Sequence, residues 1–193
     1  MQRDQKKEYI KRKFIQATKK IIETQGINHV SARKVGQIAG FSYATIYNHY
    51  EDIDDLLVET AIDYLDSSYE HMIQFIKDDM SPKDRLYYLA KGYITYMYNN
   101  PELFRIIFIR DYGNHTIEYS MKLLPRVLFE IRNTLEMFSN EELVGSVDDT
   151  FKLLSSATHG KLMFSILKRD RISLEQILKS IEKEISIVTG GKI

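Results

Sequence analysis

The 193 residues contain no cysteine, which excludes a disulfide framework, a thiolate metal site and a cysteine nucleophile. No apolar run approaches the length of a membrane span, and the opening MQRDQKKEY is polar where a secretory signal needs an apolar core. The expectation is a cytoplasmic protein with no membrane partner. Catalytic patterns are equally scarce. His71, His115 and His159 stand singly, no histidine pair has metal-ligand spacing, and there is no glycine-rich phosphate loop, nucleophile elbow or acid pair in an identifiable setting. The chain therefore reads as a non-enzyme with no cofactor and no metal. Net charge is absent too, with 27 Lys and Arg against 27 Asp and Glu.

That neutrality hides an asymmetry. Residues 1–50 hold ten Lys and Arg against three Asp and Glu, a net of +7, and residues 51–193 carry the compensating −7. A basic segment beside an acidic remainder is the electrostatic footprint of a nucleic-acid-binding module. Within the basic part lies the most informative stretch, SARKVGQIAGFSYATIYNHY, residues 31–50. Ser31 is a good N-cap, Val35, Ile38 and Ala39 recur on one helical side, Gly40 permits the left-handed backbone that ends a helix, and Ser42 can cap the next. This is helix-turn-helix spacing. In the second helix Ile46 and Tyr50 face inward, leaving Tyr43, Ala44, Thr45, Tyr47, Asn48 and His49 as an outward face of donors, acceptors and a methyl group. Such a face can meet base edges and phosphates in a DNA major groove.

In order and spacing these residues resemble the tetracycline-repressor (TetR) family of transcription regulators. The resemblance rests on Ser31, Val35 with Gly36, the Gly40-Phe41-Ser42 turn, Thr45-Ile46-Tyr47, the terminal His49-Tyr50, and Leu56 with Leu57 beyond. It implies Tyr43, Ala44, Thr45, Asn48 and His49 as groove contacts, and Ser31, Arg33, Ser42, Tyr47 and Lys11 as phosphate-positioning contacts. Two positions depart from the family pattern. Ile53 stands where a phosphate-approaching lysine is usual, flanked by Glu51, Asp52, Asp54 and Asp55. These acids are expected to complement the N-terminus of the following helix. Gly36 replaces a more usual alanine, a substitution expected to mark close packing.

Along the chain the periodicities predict an all-α fold. A first helix runs from Arg3 to Gln25 with Ile10, Phe14, Ala17 and Ile21 on one face. A long connecting helix runs from an Asp52 cap to about Lys77. Ser81-Pro82 opens another, Asn100-Pro101 the next, from Glu102 to about Arg110, and Asp111 to Asn114 form a turn. A helix over 116–138 carries Tyr119 and Leu123, with a kink or break at Pro125. Two final helices have near-heptad stripes. The expected division is a helix-turn-helix domain at 8–68, with its motif at 31–50, and a helical effector-binding and dimerisation domain at 69–193.

Aromatic residues crowd the middle of the chain. They predict a cavity lined by Tyr93, Tyr96, Phe104, Phe108, Tyr112, Phe129 and His159, suited to a small apolar or aromatic effector. The stripes of the last two helices, Phe151, Leu154, Thr158 and Leu162 with Leu174, Ile177 and Ile181, are expected at a homodimer interface. Small neighbours such as Gly160 would allow close approach. By resemblance, the reading is a repressor that binds a palindromic double-stranded DNA operator as a homodimer, with the connecting helix transmitting an effector-dependent tilt. Two alternatives stay open: a helical ligand-binding or protein-interaction module with weakened or lost DNA binding, motivated by Ile53 and its acids, and a helical enzyme using the aromatic pocket.

Overall fold

In the computed structural model, residues 3–112, 125–139, 142–168 and 172–190 are described, and no strand occurs among them. Among the described residues nine α-helices follow one another: α1 (Arg3–Gln25), α2 (Ala32–Ala39), α3 (Tyr43–Ile46), α4 (Ile53–Ile73), α5 (Pro82–Asn99), α6 (Pro101–Phe104), α7 (Pro125–Leu135), α8 (Val147–Ile166) and α9 (Leu174–Val188). Tyr119, Leu123, His115 and the turn at 113–114 lie outside the described residues.

Contacts divide the chain into two compact units, one drawn from Met1–Leu65 and Glu102–Leu123, the other from Asp66–Pro101 and Leu124–Ile193. In the first, the expected face of α1 supplies the core. Phe14, Ala17 and Ile21 pack with Val35, Ile46, Tyr50 and Leu56. Phe14 is fully buried and meets Phe41, His49 and Tyr50 edge-on, with ring centroids 5.5, 6.0 and 6.5 Å away. Edge-to-face rings at these distances add directional contacts to the apolar burial. Ile38, expected on the inner side of α2, is instead 39% exposed. The buried residues of α2 are Val35 and Gly36, so its inner face is centred toward Gly36 and away from Ile38.

Also in the first unit, α6 is short and continues as a π-helical turn at Arg105–Ile109, closed by Arg110 N–H donating to the Arg105 carbonyl at 2.7 Å. The wider turn puts Ile106 and Ile107 inside and leaves Phe108 exposed. The Tyr112 hydroxyl donates to the Ile106 carbonyl at 2.9 Å, and burial pushes its pKa up to about 12.

The second unit packs α5, α7, α8 and α9 against one another. Its helix starts are strongly specified. Ser81 caps α5 by accepting from Asp84 N–H at 3.1 Å, with Pro82 at the first helical position. Ser146 with Asp149 and Ser173 with Gln176 form reciprocal capping boxes on α8 and α9. Two helix ends differ from expectation. The connecting helix stops at Ile73, short of Lys77, and α7 stops at Leu135, short of Phe138. Within the described residues α7 begins at Pro125, the position expected to kink or break it.

Candidate functional site

The helix-turn-helix is built by local rules. Ser31 Oγ accepts from Lys34 N–H at 3.4 Å, and Gly40 ends α2 in the left-handed region at φ 79°. Gly36 explains the tightness of the turn. A Cβ there would stand 2.9 Å from the Phe41 carbonyl oxygen and 3.1 Å from Tyr43 N. The close packing expected of it is therefore against the turn backbone. Ser42 occupies the cap position of α3, but its hydroxyl pairs with Thr45 Oγ1 at 2.8 Å instead of accepting from a backbone amide.

Regular α-helix in α3 covers only Tyr43–Ile46, and turns carry the chain on to Tyr50. Tyr43 and Tyr47 are 60% and 52% exposed, and Ala44, Asn48, Ser42, Ser31 and Arg33 are exposed with them. Thr45 is half-buried. His49, expected on the same outer face, is turned partly inward against Phe14, and its Nδ1 is buried with no hydrogen-bond partner. Burial, then the charges of Lys7 and Lys11, hold its pKa below the usual histidine value.

Lys11, expected at a phosphate, is ion-paired with Glu59 and lies 5.3 Å from the Tyr50 ring centroid. Glu59 also accepts from the Tyr50 hydroxyl at 2.8 Å, and burial with that carboxylate pushes the Tyr50 pKa well up. One carboxylate thus joins α1, the end of the recognition turn and α4. Lys6 and Lys7, one turn earlier on α1, are exposed and make no ion pair among the described residues.

Three of the four acids around Ile53, namely Asp52, Asp54 and Asp55, have their carboxylates engaged inside the unit. Asp52 Oδ1 accepts from Asp55 N–H at 2.9 Å and caps α4, while Asp55 Oδ2 accepts from Glu51 N–H at 3.2 Å. Asp54 receives the Arg110 guanidinium, at 2.6 Å from Nη2 and 3.1 Å from Nε. Helix complementation accounts for them, with Arg110 as a counter-charge that spacing alone did not reveal.

The second unit encloses a cavity of about 40 Å3 among α5, α7, α8 and α9. Its wall is mainly aliphatic, including Leu86, Val127, Ile131, Leu154 and Ile185, and it contains no charged side chain. Beside Ser155 and Thr158, the wall carries one buried polar pair, the Tyr93 hydroxyl and His159 Nε2, 2.8 Å apart. A backbone contact of the ring with Ser155 suits a proton on Nδ1, with Tyr93 donating to Nε2. Burial holds His159 below the usual histidine pKa and Tyr93 far above the usual tyrosine value.

Of the rings expected around a cavity, Tyr93 and His159 line this one. Phe129 points to the surface at 64% exposure, and Tyr96 is half-buried beside His71. Phe104, Phe108 and Tyr112 belong to the first unit, where Phe104 and Phe108 contact each other at 4.8 Å. The wall is instead made by aliphatic residues that spacing marked only as core.

The expected dimer stripe needs the same kind of correction. Leu154, Thr158, Leu162, Ile177 and Ile181 are buried within this one chain, and Phe151 and Leu174 are half-buried. The reason is that α8 has two apolar faces and the regular stripe is the inward one. Its other face exposes Leu153, Met163 and Phe164, and a Cβ added at Gly160 would meet nothing within 4 Å.

Among the described residues no group of three or more His, Asp or Glu side chains is placed to hold a metal, and no helix is long and apolar enough to cross a membrane.

Residues 14–60 match the family model described as bacterial regulatory proteins, tetR family. No curated protein matches the sequence significantly. Among solved structures, the chain is similar to Bacillus subtilis FadR in complex with stearoyl-CoA, with 14% identity, TM-score 0.75, and 94% of this chain and 99% of that one covered. Thermus thermophilus FadR, a TetR-family repressor in complex with lauroyl-CoA, is 12% identical with TM-score 0.70, covering 91% of this chain and 92% of that one. A TetR-like regulator from Rhodococcus sp. RHA1 is 12% identical with TM-score 0.68, covering 95% and 97%. At these identities the likeness is one of fold.

Proposed function

We propose that this chain, a member of the TetR family of bacterial regulatory proteins, is a cytoplasmic repressor that binds an inverted-repeat operator as a homodimer and releases it when an apolar effector enters the second unit. Ligand-responsive DNA binding is the family's architecture. The observation that carries the reading is the exposed face of Tyr43, Ala44, Tyr47 and Asn48, held on a capped and glycine-terminated helix-turn-helix together with exposed Lys6, Lys7 and Arg33. Tyr43, Ala44 and Asn48 take the base edges. Tyr47, Ser31, Ser42 and Arg33 take the phosphates, with Lys6 and Lys7 replacing Lys11. Thr45 and His49 support this face from beneath. Reduced DNA binding through the acids near Ile53 has less in its favour, since Asp52, Asp54 and Asp55 have partners within the unit.

Two recognition elements must be about 34–36 Å apart to enter successive major grooves, so the protein acts as a pair. The partner surface is the exposed face of α8 around Leu153, Gly160, Met163 and Phe164, with Ile187 of α9. The effector presents an uncharged, mainly aliphatic portion to the cavity and one hydrogen-bonding group to Tyr93 or His159. Acyl-CoA complexes of the FadR proteins agree with such a lining. A cavity of about 40 Å3 is far below the ~300–1,000 Å3 that holds a drug-sized ligand, so occupancy requires an expanded state. The effector then works by preferring that state over the DNA-competent one.

A random duplex library offered to the purified protein at physiological salt tests this. Enrichment of an inverted repeat, protected on one face of the duplex, is the expected result. Failure to enrich any sequence, at low salt as well, would sink the regulator reading.

A further inference from the structure

A second opening lies on the other side of α5 from the aliphatic cavity. It holds about 120 Å3 and is lined by His71 and Phe75 from the end of α4, and by Tyr88, Lys91, Gly92 and Thr95 from α5. Tyr88, Lys91, Gly92 and Thr95 share one face of α5 by their spacing of three and four. The floor is the point where the helices touch, since a Cβ on Gly92 would stand 3.0 Å from Met72 Cα.

A close helix crossing alone leaves an apolar wedge. This one is furnished differently. The His71 and Phe75 rings stand edge-to-face at 5.5 Å, and Phe75 is 46% exposed. Opposite them Lys91 Nζ lies 5.8 Å from the Tyr88 ring centroid. Lys91 makes no ion pair among the described residues, and the Tyr88 and Thr95 hydroxyls make no hydrogen bond there. No carboxylate lines the opening. In the same unit Arg85, Arg126, Arg132 and Lys161 are paired with acids. Lys91 shares its lack of an ion pair among the described residues with lysines such as Lys83, Lys152 and Lys183, and differs from them in lining an opening of rings and hydroxyls without a carboxylate. Lys91 is an uncommitted cation set among ring faces and free hydroxyls.

The geometry points to a second small-molecule site, taking a single-ring aromatic carboxylate. An apolar cavity of about 150 Å3 holds benzene, so about 120 Å3 with an open side fits one ring. The ring packs on Phe75 and against Tyr88 and His71, and the carboxylate meets the Lys91 ammonium and the Thr95 hydroxyl. The site involves neither the DNA-reading face nor the aliphatic cavity, so it stands or falls independently of the proposed function.

The test is calorimetric titration of the full chain with benzoate, benzyl alcohol and acetate, without DNA. Benzoate is expected to bind saturably, one per chain, and the ring without charge or the charge without ring to bind much more weakly. Lys91→Gln and Phe75→Ala should each lose about tenfold or more in benzoate affinity, the range of a lost contact to a charged group, while Lys91→Arg restores it. Ser155→Leu, which fills the aliphatic cavity instead, should leave it unchanged. Circular dichroism checks that each variant is folded, and Lys91, being exposed, is dispensable for folding. Absence of saturable benzoate binding, equal affinity in Lys91→Gln, or loss in Ser155→Leu with retention in Phe75→Ala would each overturn the assignment.

Discussion

The two units differ in what fills their centres. Around Phe14 the first is packed ring against ring, and its polar groups near the recognition turn are tied together by the Lys11–Glu59–Tyr50 arrangement. The second keeps an enclosed aliphatic cavity with one buried hydrogen-bonded pair on its wall. A close-packed core has few alternative arrangements, whereas a cavity can be enlarged by small shifts of its lining helices. The packing of the first unit holds the exposed face of its helix-turn-helix in one shape, and the cavity of the second leaves its lining helices room to shift.

The largest effect should come from breaking the packed centre. Phe14→Ala is expected to cost about 3–5 kcal/mol of stability and to abolish specific DNA binding with it, measured by urea denaturation and fluorescence anisotropy. A loss of under 1 kcal/mol would mean that the first unit is no more tightly specified than the second. Next comes the polar pair of the cavity. Tyr93→Phe leaves His159 Nε2 without its donor in a buried site and should cost about 1–3 kcal/mol, with operator affinity of the folded protein unchanged.

The same pair predicts a pH dependence. An unfolded histidine titrates near its ordinary value of 6.5, and burial holds His159 below it. Between those two values the unfolded chain binds the additional proton. The contribution from neutral His159 is therefore complete above pH 6.5 and is lost as pH falls toward the native value. Denaturation midpoints should fall over that window in the wild type and fall less in His159→Gln; identical pH profiles would remove His159 from the account.

On the reading face, Asn48→Ala should relax discrimination at one base position by about 1–3 kcal/mol. Tyr47→Phe should weaken all duplexes alike, and competition against single-base variants of the repeat separates the two behaviours. The smallest effect is expected at Arg126, which is paired with Asp66 and Glu70 and lies 4.3 Å from the Tyr69 ring centroid, but is 55% exposed. Arg126→Gln should shift stability by less than about 1 kcal/mol.

The first unit was the more legible in sequence, because its signals are local. Ser31, Gly40 and the Asp52 cap work within four residues of themselves, and Phe14, Val35 and Ile46 fall on faces set by helical periodicity. What periodicity missed there were partners distant in the chain. Glu59 takes Lys11 from 48 residues away, and Arg110 takes Asp54 from 56. In the second unit the helices were legible and their faces were not. Hydrophobic spacing marks an apolar stripe without saying whether it turns inward, and α8 has one apolar face that is buried and one that is exposed. Tyrosine and phenylalanine richness likewise pointed to a ring-lined cavity, yet Phe129 faces outward and aliphatic residues form most of the wall.

The proposed DNA reading is tested most directly by the affinity of the enriched repeat and of a shuffled duplex of equal length at physiological salt. Two protomers per repeat and a preference of about 10³-fold or more over the shuffled duplex are expected. Equal affinity for the two duplexes would contradict that reading.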